Sequence, residues 1–81
     1  MALVTVRSFA ALREIAGPIR DAEASSVAEL LRDMTAELGD EFARRLARSK
    51  VVVDGDPTTA HDEAPLREGA EIVLLPPFAG G

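Results

Sequence analysis

The two most strand-like segments of this sequence lie at its opposite ends. Leu3-Val4-Thr5-Val6-Arg7-Ser8-Phe9 alternates apolar and polar side chains and is β-branched at several positions, the period of two that marks a half-buried strand. Ala70-Glu71-Ile72-Val73-Leu74-Leu75 is nearly unbroken in its apolar character, which predicts a strand buried on both faces. Pro76-Pro77 ends it, because proline cannot donate to a ladder. With both ends committed to strands, the intervening chain must supply the layer that covers them.

That layer is readable. Ser26-Val27-Ala28-Glu29 fits a capping box, with the Ser26 hydroxyl accepting from the Glu29 amide and the Glu29 carboxylate reaching back to the Ser26 amide. Val27, Leu30, Leu31, Met34 and Leu38 then form one apolar helical stripe, Arg32, Asp33 and Glu37 take the other face, and Gly39 closes the helix. Asp40 is placed to cap a second short helix, with Phe42 and Leu46 inward and Arg44, Arg45 and Arg48 outward near the end where the dipole favours cations.

The remaining pieces are shorter. Phe9, Leu12 and Ala16 fall on one face of a helical turn that Gly17-Pro18 stops, and Ile19 to Ala24 is a thin candidate for a second strand. Lys50 to Val53 is a compact β-branched strand followed by the hairpin dipeptide Asp54-Gly55, with Pro57, Thr58 and Thr59 starting a short return. Pro65 to Gly69 is a turn. If the first and last strands pair in the sheet centre beneath the main helix, the fold is α+β: a ubiquitin-like β-grasp, with a mixed sheet, one main helix on one face and short extra helices. The expected organisation is a domain over residues 1–75 and a flexible diglycine tail over 76–81.

Composition excludes several function classes. The chain has 81 residues, one domain's worth, and no cysteine, so neither a disulfide framework nor a Cys-based zinc site is expected, and the single histidine, His61, cannot build a metal cluster. A net charge of −5 with three Phe, no Tyr and no Trp argues against nucleic acid and for partners with basic or mixed surfaces. There is no phosphate-binding glycine loop, no histidine to activate Ser8 or Ser49 and no cysteine nucleophile, so the chain is not expected to catalyse alone. His61 with Asp62 and Glu63 reads as a surface loop, and Asp54-Gly55-Asp56 as a turn rather than a calcium loop. The start lacks a basic segment ahead of its apolar residues, and the longest apolar run is broken at Pro76-Pro77, so neither a signal peptide nor a membrane span is expected and a cytoplasmic protein is.

What remains is the tail. Six residues from Pro76 to Gly81 extend roughly 20 Å. Each type suits insertion into a partner: Pro76 and Pro77 stiffen the exit, Phe78 offers an aromatic anchor, Ala79 is small, and Gly80 and Gly81 lack the Cβ that would block a narrow channel. A carboxylate presented at the end of such a tail is a poor electrophile until activated, typically as an acyl-adenylate.

In these features the sequence resembles the small, sulfur-carrying subunits of molybdopterin synthase, ubiquitin-like proteins that end in diglycine. The likeness rests on Phe9-Ala10-Ala11-Leu12-Arg13-Glu14, on Ser26-Val27-Ala28-Glu29-Leu30-Leu31, and on Leu66-Arg67-Glu68-Gly69-Ala70-Glu71-Ile72 leading to Leu75-Pro76-Pro77-Phe78-Ala79-Gly80-Gly81, the most specific block. The resemblance implies a carrier with no bound cofactor, whose Gly81 is adenylated with ATP by a partner resembling ubiquitin-activating enzymes and then converted to a thiocarboxylate by way of a sulfur donor protein. The tail, Pro76 to Gly80, then enters the large catalytic subunit and Gly81 passes sulfur to a cyclic pyranopterin. The family commonly has Asn where Asp54 stands here, which alters only local contacts. Two alternatives stay open: a sulfur carrier for thiamine thiazole or cysteine synthesis, and a ubiquitin-like modifier, whose chain-forming version the single lysine, Lys50, disfavours.

Overall fold

A computed structural model describes residues 1–77. The chain runs β1 (Ala2–Ser8), α1 (Ala10–Ala16), β2 (Ile19–Ala24), α2 (Val27–Leu38), α3 (Asp40–Leu46), β3 (Lys50–Val53), β4 (Asp56–Thr58) and β5 (Glu71–Leu75). The five strands form one mixed sheet in the order β2-β1-β5-β3-β4. The two chain-end strands are therefore neighbours: β1 runs parallel to β5 with Val6 opposite Ile72 and Ser8 opposite Leu74. β5 is the middle strand, paired antiparallel on its other side to β3, with Lys50 opposite Leu75. The thin segment from Ile19 to Ala24 is a full edge strand, antiparallel to β1 from Ala2↔Ala24 to Arg7↔Ile19.

Helix α2 begins as the sequence predicts, with one difference. Ser26 Oγ accepts the Glu29 N–H at 3.1 Å, but the Glu29 carboxylate reaches one residue further back than the capping box requires. It accepts from the Ser25 N–H at 2.6 Å and the Ser25 hydroxyl at 2.9 Å. These bonds hold the Glu29 carboxyl below its ordinary range. The same helix end staples the loop before β5, because Ser25 O accepts the Leu66 N–H at 2.9 Å and the Ala28 N–H donates to Asp62 O at 2.9 Å. At the other end Gly39, with φ 92°, both closes α2 and serves as the cap of α3; Asp40, expected as that cap, is the first helical residue and makes no capping bond. The tight reversal demands a positive φ that glycine adopts without a Cβ penalty, which fixes the junction one residue earlier.

All three helices cover one face of the sheet. Val4 and Val6 of β1, Leu12 of α1, Leu30, Leu31 and Met34 of α2, Phe42 of α3 and Ile72 and Leu74 of β5 belong to a single buried cluster. The expectation that β5 is buried on both faces is not met: Ile72 and Leu74 are buried, whereas Glu71, Val73 and Leu75 are only half-buried. Among the described residues no helix or strand crosses the opposite face, which carries an exposed ion pair between Arg7 Nε and Glu71 Oε2 at 2.6 Å. Among the described residues no helix is long and apolar enough to cross a membrane.

Candidate functional site

The candidate site lies where β5 gives out. Its last residues are held from both sides, since Leu74 O accepts the Phe9 N–H at 3.2 Å and Leu75 stands in register with Lys50. Pro76 is half-buried and Pro77 exposed, and neither proline has an N–H to donate to a ladder. Of the residues expected to form the tail, Pro76 and Pro77 are described; Phe78, Ala79, Gly80 and Gly81 lie outside the described residues.

Beside this exit is a groove of about 300 Å³, lined by Phe9, Ala10, Ala11, Leu12, Arg45, Arg48, Ser49, Pro76 and Pro77. Three elements build it: the end of β1 with the start of α1, the end of α3, and the end of β5. Phe9 is the notable member. The sequence reading put it inside α1 with Leu12 and Ala16, yet it precedes the helix and is 44% exposed, while Leu12 and Ala16 are buried. Its amide belongs to the sheet ladder, so strand alternation decides its direction and turns it away from the inward side that Ser8 takes. Ala10 follows with φ 55°, a left-handed conformation uncommon for a residue with a Cβ.

The groove is apolar along its floor and cationic at its rim. Arg45 Nε donates to Glu41 Oε2 at 2.6 Å, and Arg44 pairs with the other oxygen of the same carboxylate. Together the two guanidinium groups hold the Glu41 carboxyl below its ordinary range. Ser49 Oγ donates to Arg45 O at 2.8 Å, which commits that hydroxyl to the chain turn after α3. Nothing here constitutes a nucleophile with an adjacent base. No group of three or more His, Asp or Glu able to hold a metal occurs among the described residues. His61 is exposed on the loop before β5, with its N–H to Thr59 Oγ1 at 3.3 Å.

Residues 6–81 match the ThiS family. The chain belongs to that family. This ThiS-family chain is 32% identical over 81 residues to a molybdopterin synthase sulfur carrier subunit from Haemophilus influenzae, spanning 98% of this chain and 100% of that relative. Among solved structures, a complex of subunits 1 and 2 of molybdopterin-converting factor from Helicobacter pylori contains a chain of the same fold: TM-score 0.72, 26% identity, 98% of this chain and 99% of that one covered. Small archaeal modifier protein 1 from Methanosarcina acetivorans is similar to the same degree: TM-score 0.74, 25% identity, 100% and 98% covered. The expected β-grasp is thus the fold that these ThiS-family relatives share. Phe9, Arg45 and Arg48 are the site residues that sequence reasoning passed over. Their signals were present, in the alternation that continues past Ser8 to Phe9 and in the cation-rich run after Glu41.

Proposed function

We propose that this protein is the sulfur-carrying small subunit of a molybdopterin synthase. The observation that carries the reading is the near full-length similarity to a curated sulfur carrier subunit of that enzyme. The placement of Pro76-Pro77 directly after the central strand supports it, because it joins the residues that follow to a rigid platform. The Helicobacter pylori complex pairs a relative with a subunit 2, which supports a large catalytic subunit as the partner of this chain as well.

In this reading a Gly81 carboxylate oxygen attacks the α-phosphorus of ATP on an activating enzyme, forming the acyl-adenylate and releasing pyrophosphate. The terminal sulfur of a donor protein's persulfide then attacks the carbonyl carbon and displaces AMP, and a thiol cleaves the resulting S–S bond, leaving the thiocarboxylate on Gly81 and a disulfide on the donor side. The tail, Pro76 to Gly80, threads the large subunit, where the thiocarboxylate sulfur displaces an oxygen substituent from a carbon of the pyranopterin and water then cleaves the resulting thioester, leaving the sulfur on the pterin and restoring the Gly81 carboxylate. This chain binds and positions; the acids and bases belong to its partners.

The test is intact-protein mass spectrometry after incubation with ATP, the activating enzyme and a sulfur donor. The expected result is a shift equal to replacing one oxygen by sulfur, mapped to the C-terminal peptide. Deleting Gly80 and Gly81 should abolish it with little change in melting temperature. A shift mapped elsewhere overturns the reading. The similarity to a small archaeal modifier favours a second reading, conjugation to lysines, for which an isopeptide bond from Gly81 in place of the thiocarboxylate is the diagnostic product.

A further inference from the structure

The two edges of the sheet, β2 and β4, are finished differently. Strand β4 has three residues and holds Pro57 within its ladder, the short, proline-bearing form that discourages a further strand. Strand β2 has six residues, none of them proline, and all six stand in register with β1. The Ser8 N–H donates to Pro18 O at 3.1 Å, so the alternation of an antiparallel ladder points the backbone groups of Arg20, Ala22 and Ala24 at β1. The N–H and C=O groups of Ile19, Asp21 and Glu23 therefore point outward, and among the described residues no ladder partner meets them there.

Beside that edge, between β2 and α2, is a hollow of about 220 Å³. Leu30 and Met34 close it toward the core, and Ala22, half-buried, is too small to fill it. Its rim carries Asp21, Glu23, Asp33 and Glu37 against one cation, Arg20. Arg20 Nη2 donates to Glu37 Oε2 at 2.8 Å, but Arg20 Nη1 is buried and meets no hydrogen-bond acceptor among the described residues. A buried donor of that kind costs free energy until an acceptor reaches it, and the carbonyls of an added strand are acceptors.

We propose that the open edge of β2 receives a cationic, extended segment of another protein as a further strand of the sheet. Its backbone bonds to Ile19, Asp21 and Glu23, an apolar side chain enters the hollow over Ala22, and Lys or Arg side chains meet the rim carboxylates. In strand addition of this kind the main-chain bonds supply affinity and the alternate side chains select the partner. A second copy of this chain is the wrong occupant, because pairing β2 with itself about a two-fold axis sets Asp21 opposite Asp21, like charges directly across a ladder. The same acids that keep the edge from pairing with its own kind thus admit a strand of opposite charge. Strand β1 separates this edge from β5, and no residue of β5 or after it lines the hollow, so the inference is independent of what the chain end carries.

The experiment titrates the full-length, isotope-labelled protein with a short end-capped peptide alternating Lys and Val, and follows amide shifts and hydrogen exchange by NMR. The expected result is shifts confined to β2 and the facing side of α2, with exchange slowed at the Ile19, Asp21 and Glu23 amides. Charge reversal Asp21→Lys/Glu23→Lys, and the milder Asp21→Asn/Glu23→Gln pair, should weaken binding, the reversal about tenfold or more at low salt, with the melting temperature of each variant checked first. A peptide of the same charge with its central Val replaced by Pro should bind far more weakly, because it cannot complete the ladder. Equal binding of the Pro peptide, or of one alternating Glu and Val, overturns strand addition in favour of diffuse attraction. Shifts that map to β4 or to the groove beside Pro76, or no binding at millimolar peptide, overturn the site. Concentration-dependent pairing through β2 without peptide overturns the choice of occupant in favour of a second copy. None of these outcomes touches the sulfur-carrier reading, which stands or falls on the mass shift at Gly81.

Discussion

Asp54 and Glu71 exchange two hydrogen bonds across the mouth of the β3–β4 turn. The Asp54 N–H donates to Glu71 O at 2.9 Å, and Asp54 Oδ1 accepts the Glu71 N–H at 3.0 Å. Asp54 Oδ2 also accepts from Arg67 Nε at 3.0 Å. A turn residue thus fixes the first residue of the central strand and the loop that leads to it.

Those bonds give a pH signature. The Glu71 N–H chiefly, and Arg67 after it, hold the Asp54 carboxyl below its ordinary value of 3.8 against the opposing effect of desolvation. A depressed folded-state pKa contributes stability that is full above the unfolded pKa and is lost as pH falls through the folded one. Asp54→Asn keeps an acceptor for Glu71 but carries no charge. It should melt below the wild type at neutral pH, and the gap should close as pH falls from about 5 toward 2.5. Melting curves across that range check it; a gap independent of pH would mean that the charge contributes nothing.

Leu31→Ala tests the core. Leu31 is 2% exposed and shares its cluster with Val4, Val6 and Ile72. Truncation should cost about 2 to 5 kcal/mol by chemical denaturation. A cost within experimental error would contradict the packing of α2 on β1 and β5.

Ser8 is the opposite case. Its hydroxyl is buried on the inward face of β1 and has no hydrogen-bond partner among the described residues. Burying an unsatisfied hydroxyl is unfavourable, so Ser8→Ala should leave stability unchanged or raise it by about 1 kcal/mol. A clear loss in urea titration would show that the hydroxyl is bonded after all.

Phe78→Ala addresses the tail directly. If Phe78 anchors the tail in a hydrophobic pocket of the large subunit, truncation should cost about 2 kcal/mol of binding, roughly thirtyfold in affinity. The melting temperature of the free protein should not change. Calorimetric titration of the large subunit decides it, and equal affinities would remove Phe78 from the docking contacts.

The physical origin of each feature explains how far the sequence could be read. The Ser26 cap and the Val27-to-Leu38 stripe were legible because local periodicity and one nearby bond determine them. The pairing of β1 with β5 was legible because these were the two most strand-like segments. The second buried face of β5 was misjudged because apolar character alone cannot count covering layers: Val73 and Leu75 are only half-buried, on the side opposite the buried Ile72 and Leu74. Phe9 was misplaced because it sits where two periods meet, and a non-local bond to Leu74 settles which one applies. Asp54 read only as a turn residue, since its partners, Glu71 and Arg67, are distant in sequence. Arg45 and Arg48 read as a solvated helix end, because nothing local shows that the tail leaves beside them.

The central position of β5 has a mechanical meaning under the proposed function, in which the chain end enters a partner. A pull on the tail runs along a strand bonded on both sides, to β1 over Glu71–Leu74 and to β3 over Ile72–Leu75. Such a load acts in shear, so the bonds of two ladders resist together instead of yielding one after another as they would in an unzipped edge strand. A load of that kind on the end of β5 is therefore borne by the sheet as a whole, and the strand does not peel from it residue by residue.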